Sequence, residues 1–295
     1  MQKFSSFMNR ETVAGYVFAL PFIIGFLFIL IIPMGLSLYY SFTSFNLVTT
    51  TWIGFDNYIR MINDSRFINS VGVTFRFVFM SVPVRMVFGL LVAYVLTRKA
   101  AGVHFYRSIY YLPTLIGGSI AVALVWSQLF QREGVINVLL QIVGLEGVHW
   151  FGQPGTALYP LIAMSVWQFG SSMIIFAAGL KDIPETYYEA ASIDGASKWQ
   201  QFFRITLPCL SPIILYNLVM QTIAAFMTFT QAFIITGGGP ADATNFLALY
   251  IYNHAITWRN MGYASAMSWV LLAMVASTTI VILKTSKKWT FYAND

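Results

Sequence analysis

The chain has 295 residues, of which 58% are hydrophobic, 17% are aromatic and only 9% are charged. A soluble domain carries about 25% charged residues, and even a 300-residue fold buries only about 75% of the surface of its unfolded chain. The composition therefore excludes an ordinary soluble domain and indicates a protein embedded in a lipid membrane. The net charge of +6 does not indicate nucleic-acid binding, because the basic residues are scattered at segment ends.

Residues that could carry metal or nucleophilic chemistry are few. Cys209 is the only cysteine, which excludes an intrachain disulfide and a thiolate metal cluster. His104, His149 and His254 are far apart in sequence, and there is no glycine-rich phosphate loop. We therefore predict no metal site, no cofactor bound by this chain and no enzymatic activity.

Six stretches are long and apolar enough to cross a membrane as helices, which takes about 20 residues each. They are residues 13–38, 71–96, 108–130, 156–180, 207–235 and 262–283. Backbone groups in lipid must be hydrogen-bonded within the protein, so each stretch is predicted to be a helix. The predicted fold class is an all-α integral membrane protein with about six transmembrane helices.

The basic residues predict how these helices are oriented. With the N-terminus in the cytoplasm, cytoplasmic segments hold 11 of the 17 basic residues and external segments hold 4. This excess predicts that both termini are cytoplasmic. The predicted organisation is one transmembrane domain at 13–284, between a cytoplasmic N-terminus (1–12) and a cytoplasmic tail (285–295).

The polar loop at 181–208 is predicted to begin with a short helix on the cytoplasmic side. Pro184 suits the first turn of a helix, where its missing N–H costs nothing. Glu185 places an acid near the positive end of that helix. Gly195 can adopt a left-handed conformation and end the helix.

A second short helix is predicted at 196–204, and Pro208 is predicted to begin the next membrane helix. Trp199, Phe202 and Phe203 give this second helix an apolar face. Such a loop could stiffen the cytoplasmic surface or dock another protein, and the physical argument alone leaves both alternatives open.

A longer pattern runs through the same loop. It consists of Glu189-Ala190-Ala191, three residues, Gly195, nine residues, and Ile205-Thr206-Leu207-Pro208. This pattern resembles the "EAA" signature of the permease subunits of binding-protein-dependent ABC importers, where it also precedes the last two membrane helices. We refer to residues 181–208 as the EAA loop.

Other segments resemble the carbohydrate-type branch, the maltose and glycerol-phosphate permease family. They include Leu20-Pro21, Gly25-Phe26, residues 52–58 and the Gly237-Gly238-Gly239-Pro240 loop after the fifth predicted helix. Within that family the chain resembles the partner that carries a glycine-rich external loop. This loop is either a simple tight turn or a contact for the binding protein.

The resemblance implies a translocation-pore subunit of an ATP-driven importer of sugars, expected to be oligosaccharides, in a bacterial cell membrane. It also implies a second related permease subunit, an extracytoplasmic solute-binding protein, and two ATPase subunits that bind ATP and Mg. The residues expected at the ATPase contact are Glu185, Glu189, Ala190, Ala191, Asp194, Gly195 and Pro208.

Polar residues in the predicted membrane helices are candidates for substrate contact. Asn217, Gln221, Thr228 and Gln231 share one face of the fifth helix, and their amides and hydroxyls suit sugar hydroxyls. The alternative is hydrogen bonding between helices. Weaker candidates are Tyr216, Trp167 and Gln168.

Arg76 and Arg85 lie within the second predicted helix, where a charged side chain is costly. Arg85 is the deeper of the two. It either pairs with carbonyls or a partner subunit, or attracts an acidic saccharide or a glycerol-phosphate-type solute. A secondary transporter is the alternative from another class, but there is no visible repeat and no membrane-embedded acid.

Overall fold

The structure, a computed structural model, describes residues 11–97 and 102–291. Most of the predicted N-terminal segment (1–10) and the end of the predicted tail (292–295) lie outside the described residues. In the described ranges the regular structure is helical, apart from an isolated β-bridge between Thr43 and Trp52. The predicted all-α membrane fold is confirmed.

Fifteen α-helices and three π-helical segments can be delimited in the described residues. The α-helices are α1 (Glu11–Phe26), α2 (Ile32–Ser41), α3 (Asp56–Asn63), α4 (Ser65–Leu96), α5 (Val103–Ile116), α6 (Ile120–Leu129), α7 (Val135–Ile142), α8 (Leu158–Trp167), α9 (Gly170–Lys181), α10 (Glu185–Ile193), α11 (Lys198–Gln201), α12 (Leu207–Phe226), α13 (Thr230–Ile235), α14 (Leu247–Tyr252) and α15 (Met261–Ser286). The π-helical segments are Leu27–Ile31, Phe202–Thr206 and Asn253–Thr257.

Four helical stretches among the described residues are long and apolar enough to cross a membrane. They are Gly15–Ser41, Ser65–Leu96, Lys198–Ile235 and Met261–Ser286. Two bent helix pairs, α5 with α6 and α8 with α9, raise the number to six if each pair forms one span. These spans correspond to the six apolar stretches predicted from the sequence.

The third predicted span, 108–130, is wrong as a single straight helix. α5 and α6 meet at an angle of 100°. α5 carries Pro113 and ends at Gly117, and the side chain of Ser119 then accepts a hydrogen bond from the N–H of Val122 at 3.3 Å. A proline, a glycine and an N-cap serine in this order end one helix and begin another.

The fourth and fifth predicted spans are also interrupted. α8 and α9 are bent by 41° at Gln168 and Phe169. α12 ends at Phe226, and α13 begins at Thr230. Each interruption leaves backbone groups without their helical partners, and these groups need other donors or acceptors within a membrane.

The described residues divide into two compact units. Among the described residues, the first consists of 11–63 and Ile251–Val270, and the second of 64–97, 102–250 and 271–291. In the first unit, the side-chain amide of Asn57 donates to the carbonyls of Ser41 and Thr43, both at 2.9 Å. These bonds join α3 to the end of α2. The single transmembrane domain proposed from the sequence stays a prediction.

The second unit is built around α4. Asp64 caps this helix by accepting from the N–H groups of Arg66 and Phe67. With 32 residues, α4 is about 48 Å long, and it packs against α8, α9 and α12. Phe77 and Phe176 are among the fully buried side chains of this core.

Close approach of helices in this unit depends on glycine. A Cβ at Gly170 of α9 would lie 2.7 Å from the carbonyl oxygen of Tyr110 and 2.8 Å from the Cα of Tyr111, both in the backbone of α5. Gly72 of α4 has no such neighbour within 4 Å. Gly170 therefore sets the distance between α5 and α9.

We expect Gly170→Ala to destabilise the protein by about 1–3 kcal/mol, because backbone atoms cannot move aside for the added methyl group. Gly72→Ala is the matched control, and it should be neutral or stabilising by up to about 1 kcal/mol because alanine favours a helix. Thermal unfolding of the purified protein in detergent compares the two. Equal midpoints would contradict the close contact.

Candidate functional site

The EAA loop has the geometry that its sequence predicts for the first helix. α10 follows Pro184, which occupies the N-cap position. Gly195 has a φ of 76°, the predicted left-handed conformation. The N–H of Ala196 donates to the carbonyl of Ala191 at 2.9 Å and that of Gly195 to Ser192 at 3.1 Å. These two bonds form a Schellman motif, which closes the helix.

Pro208 lies in the first turn of α12, as predicted, but α12 is continuous with the helical residues that precede it. α11 starts after a capping box formed by Ser197 and Gln200, and it continues through the π-helical segment Phe202–Thr206 into α12. The N–H of Leu207 bonds to the carbonyl of Phe202, five residues back. This wider turn accommodates Pro208, which has no N–H to donate and would crowd a regular helix.

Gln201 holds the two arms of the EAA loop together. This buried side chain donates to the hydroxyl of Ser192 at 2.9 Å and to the carbonyl of Ala196 at 3.3 Å. Tyr188 of α10 also shares a hydrogen bond of 2.9 Å with the hydroxyl of Thr206. Burial raises the pKa of Tyr188, so its phenol stays protonated and can donate. α10 is thus fixed to the base of α12.

Most residues expected at the ATPase contact lie on the surface of this arrangement. Ala191 and Pro208 are partly buried, and Pro208 lies within the continuous helix. The exposed members are Glu185, Glu189, Ala190, Asp194 and Gly195. Their role in docking an ATPase stays a prediction.

We expect Gln201→Leu to loosen α10, because it leaves the Ser192 hydroxyl and the Ala196 carbonyl without their donor. The two lost hydrogen bonds are worth about 0.5–1.5 kcal/mol each, which together correspond to roughly five- to 150-fold faster amide hydrogen exchange across residues 186–196. Mass-spectrometric hydrogen exchange measures this effect. Gln200→Leu, an exposed neighbour in the same helix, should affect only the start of α11. Unchanged exchange in Gln201→Leu would contradict the role of Gln201.

A cavity of about 310 Å³ lies among the membrane helices of the second unit. It lies beside the three interrupted spans. Thr114 is near the end of α5, Gln168 lies between α8 and α9, and Thr228 lies between α12 and α13. The residues that line it are Phe77, Arg85, Thr114, Leu161, Ser165, Gln168, Ala224, Ala225, Met227, Thr228, Phe229, Thr230 and Gln231. Irregular backbone at membrane depth is tolerated where it lines a cavity or is buried in protein.

The bend in the fourth span is held by donors from two other helices. A terminal nitrogen (Nη2) of Arg85 in α4 donates to the carbonyl of Gln168 at 2.6 Å. The hydroxyl of Thr114 in α5 donates to the same carbonyl at 3.1 Å and accepts from the N–H of Ser171 at 3.2 Å. Arg85 therefore pairs with a carbonyl, which is one of the two alternatives predicted for it. It also lines the cavity.

The polar stripe predicted on the fifth membrane span, which comprises α12 and α13, is divided between two environments. Thr228 and Gln231 line the cavity. Asn217 and Gln221 are buried, and Asn217 donates to the hydroxyl of Ser172 in α9 at 2.8 Å, while Gln221 donates to Asn217 at 3.2 Å. The predicted alternative of hydrogen bonding between helices describes this second pair, and its role toward substrate stays a prediction.

The weaker candidates lie in different places. Gln168 lines the cavity. The ring centroid of Trp167 lies 5.4 Å from that of Trp126. Tyr216 is 54% exposed on α12. The structure therefore brings Gln168, but neither aromatic residue, to the wall of the cavity.

The glycine-rich loop is tied to the start of α4. The guanidinium of Arg66 donates to both carboxylate oxygens of Asp242, at 2.9 and 2.8 Å. The Arg66 side chain is 53% exposed, so this ion pair contributes about 1 kcal/mol at most. Asn69 adds a bond to the carbonyl of Asp242, and Thr244 donates to that of Gly239. This geometry fits a tight turn, and contact with a binding protein stays a prediction.

Sequence reasoning missed Gln201, Tyr188 and Thr114. Ser197-x-x-Gln200 is a capping-box pattern, and it could have shown that α11 starts at Lys198. Thr114 acts through a contact with a distant segment, for which a single sequence carries no signal, and Gln201 bonds to residues five and nine positions back in the same loop.

Residues 58–285 match the family described as "Binding-protein-dependent transport system inner membrane component". The chain is 51% identical to the "Probable ABC transporter permease protein YesP" of Bacillus subtilis (strain 168), covering 98% of this chain and 96% of that one. It is 34% identical to the "Trehalose/maltose transport system permease protein MalF" of Thermococcus litoralis, covering 96% and 97%.

One solved structure shares the fold over nearly the whole chain. It is described as the crystal structure of a bacterial alginate ABC transporter in complex with an alginate pentasaccharide-bound periplasmic protein. The TM-score is 0.79 at 25% sequence identity, with 95% of this chain and 96% of the other covered.

A helical, multi-pass membrane fold with an EAA loop before its last two spans defines the permease class of ABC importers. The chain belongs to the family of binding-protein-dependent transport system inner membrane components. This membership confirms the resemblance seen in the sequence, and it does not support the alternative of a secondary transporter.

Proposed function

We propose that the chain is a translocation-pore subunit of an ATP-driven importer of sugars, including oligosaccharides. The observation that carries the proposal is the EAA loop, which presents an exposed acidic helix fixed rigidly to a membrane-spanning helix. Relatives named for trehalose and maltose transport, and the alginate transporter of similar fold, support a saccharide as the substrate.

The proposed assembly contains a second related permease, two ATPase subunits that bind ATP and Mg, and an extracytoplasmic solute-binding protein. The structural neighbour is in complex with a periplasmic protein, which supports the last of these partners. The most apolar part of the stretch Gly15–Ser41 has no buried residue in the isolated chain, so lipid or a second permease must cover it. This chain itself binds neither ATP nor Mg.

The proposed orientation places both termini and the EAA loop in the cytoplasm. The excess of basic residues in those segments supports it. The bilayer is then crossed by one domain (13–284), between the short terminal segments 1–12 and 285–295, in the bacterial cell membrane. The glycine-rich loop at 237–240 faces outward, toward the solute-binding protein.

The proposed coupling contact is α10 in a cleft of one ATPase. Glu189 is exposed and can make a charge-assisted hydrogen bond with a basic residue, worth about 1.5–3 kcal/mol. The small side chains of Ala190 and Ala191 allow close approach. Because α10 is bonded to α11 and to the base of α12 through Gln201 and Thr206, a rigid-body movement of the ATPase reaches the membrane helices.

We expect Glu189→Lys and Gly195→Asp to abolish co-purification of the ATPase and to reduce ATP-driven uptake at least about tenfold. The first variant reverses the anchoring charge, and the second puts a charged side chain at the exposed turn. Uptake into proteoliposomes and affinity co-purification of the full complex measure these effects.

Two substitutions elsewhere serve as controls. Glu146→Lys makes the same charge change on an exposed residue. Gly144→Asp makes the same change at a glycine with a φ of 80°, close to that of Gly195, and with equally open surroundings. If the EAA-loop variants behaved like these controls, α10 would not be the coupling contact.

A further inference from the structure

The cavity among the membrane helices contains a positive charge without an acid beside it. Arg85 lines the cavity, and none of the described residues that line it is aspartate or glutamate. An arginine at membrane depth is expected to pair with an acid, with backbone carbonyls or with a ligand. Its observed partner, the carbonyl of Gln168, has no net charge. The cavity therefore keeps a net positive charge.

The guanidinium of Arg85 also has donors to spare. It carries five N–H donors in a planar fork, and its Nη2 bonds to Gln168. Its Nε is buried and has no hydrogen-bond partner among the described residues, so the donors open to a ligand are those of the two terminal nitrogens. Such a fork binds a carboxylate through two parallel hydrogen bonds, which a neutral hydroxyl group cannot reproduce.

The remaining polar groups of the cavity suit an uncharged, hydroxyl-bearing part of the same ligand. The side chains of Ser165, Thr228 and Gln231 line it, and none of them bonds to another described residue. Hydroxyl and amide groups both donate and accept, as sugar hydroxyls do. A volume of about 310 Å³ lies within the range of sites for small molecules.

We propose that this cavity takes a saccharide unit bearing a carboxylate, and that Arg85 selects that unit over its neutral counterpart. The inference rests on the proposed function as a sugar-importer pore and names the substrate class of the same site. The competing account is purely structural, with Arg85 serving only to hold the bend at Gln168.

The test uses the complete transporter in proteoliposomes, with both permeases, the ATPases and the solute-binding protein. The probes are two uronate disaccharides, digalacturonate and dimannuronate, each paired with its carboxyl-reduced neutral counterpart. The measured quantity is the ratio of uptake rates within each pair. Selectivity of the binding protein cancels when this ratio is compared between variants and wild type.

The wild type should take up at least one uronate about tenfold faster than its neutral counterpart, as expected for a charge-assisted bond. Arg85→Gln should reduce this ratio toward one, and Arg85→Lys, which keeps the charge, should preserve part of it. Arg76→Gln, an exposed arginine on the same helix, is the matched control and should leave the ratio unchanged.

A second variant keeps the test decisive if Arg85→Gln fails to assemble. Gln231→Asp places a negative charge on the cavity wall and leaves both partners of the bond between Arg85 and Gln168 unchanged in sequence. It should slow uronate uptake about tenfold more than uptake of the neutral counterpart, because like charges repel.

Different results overturn different statements. Wild-type uptake of the neutral sugars alone, an equal loss of both probes in Arg85→Gln, or an unchanged ratio in Gln231→Asp would leave Arg85 with only its structural role. Absence of ATP-dependent uptake for every saccharide tested, neutral or acidic, would instead contradict the proposed function itself.

Discussion

A backbone carbonyl inside a membrane must find a hydrogen-bond donor within the protein, and this constraint explains how the chain can interrupt its helices. The bend between α8 and α9 frees the carbonyl of Gln168, and donors from α4 and α5 satisfy it. Because Arg85 and Thr114 belong to different helices, one carbonyl joins three helices at a single point. The cavity lies beside this junction, so its polar lining and the irregular backbone have the same origin.

The EAA loop meets the same requirement outside the apolar core. Gln201 satisfies a hydroxyl and a carbonyl in the loop, and the left-handed Gly195 allows the chain to turn back between them. The π-helical segment keeps α11 and α12 continuous despite Pro208. Together these features produce a small exposed helix that cannot move independently of a membrane span. Polar side chains supply this rigidity, which the proposed coupling contact requires.

Long apolar runs, the glycine that ends α10 and an arginine within a membrane segment are local signals, so they could be predicted from the sequence. The sharp break after α5 was missed even though Pro113 and Gly117 mark it, because hydropathy alone measures length and not direction. The break at 227–229 has no local marker. The partner of Asn217, Ser172, lies in a distant segment, and a single sequence cannot distinguish an amide that faces a neighbouring helix from one that faces a cavity.

The shared carbonyl of Gln168 also limits how this protein can change over evolution or by engineering. Arg85 serves both as a cavity-lining cation and as a brace for the fourth span. A lineage that exchanges it for an apolar residue leaves Thr114 as the sole described donor to that carbonyl. Thr114 keeps the carbonyl paired, but the exchange removes the bond between α4 and the fourth span. A substitution that changes the charge of the cavity therefore also changes how these helices are held together.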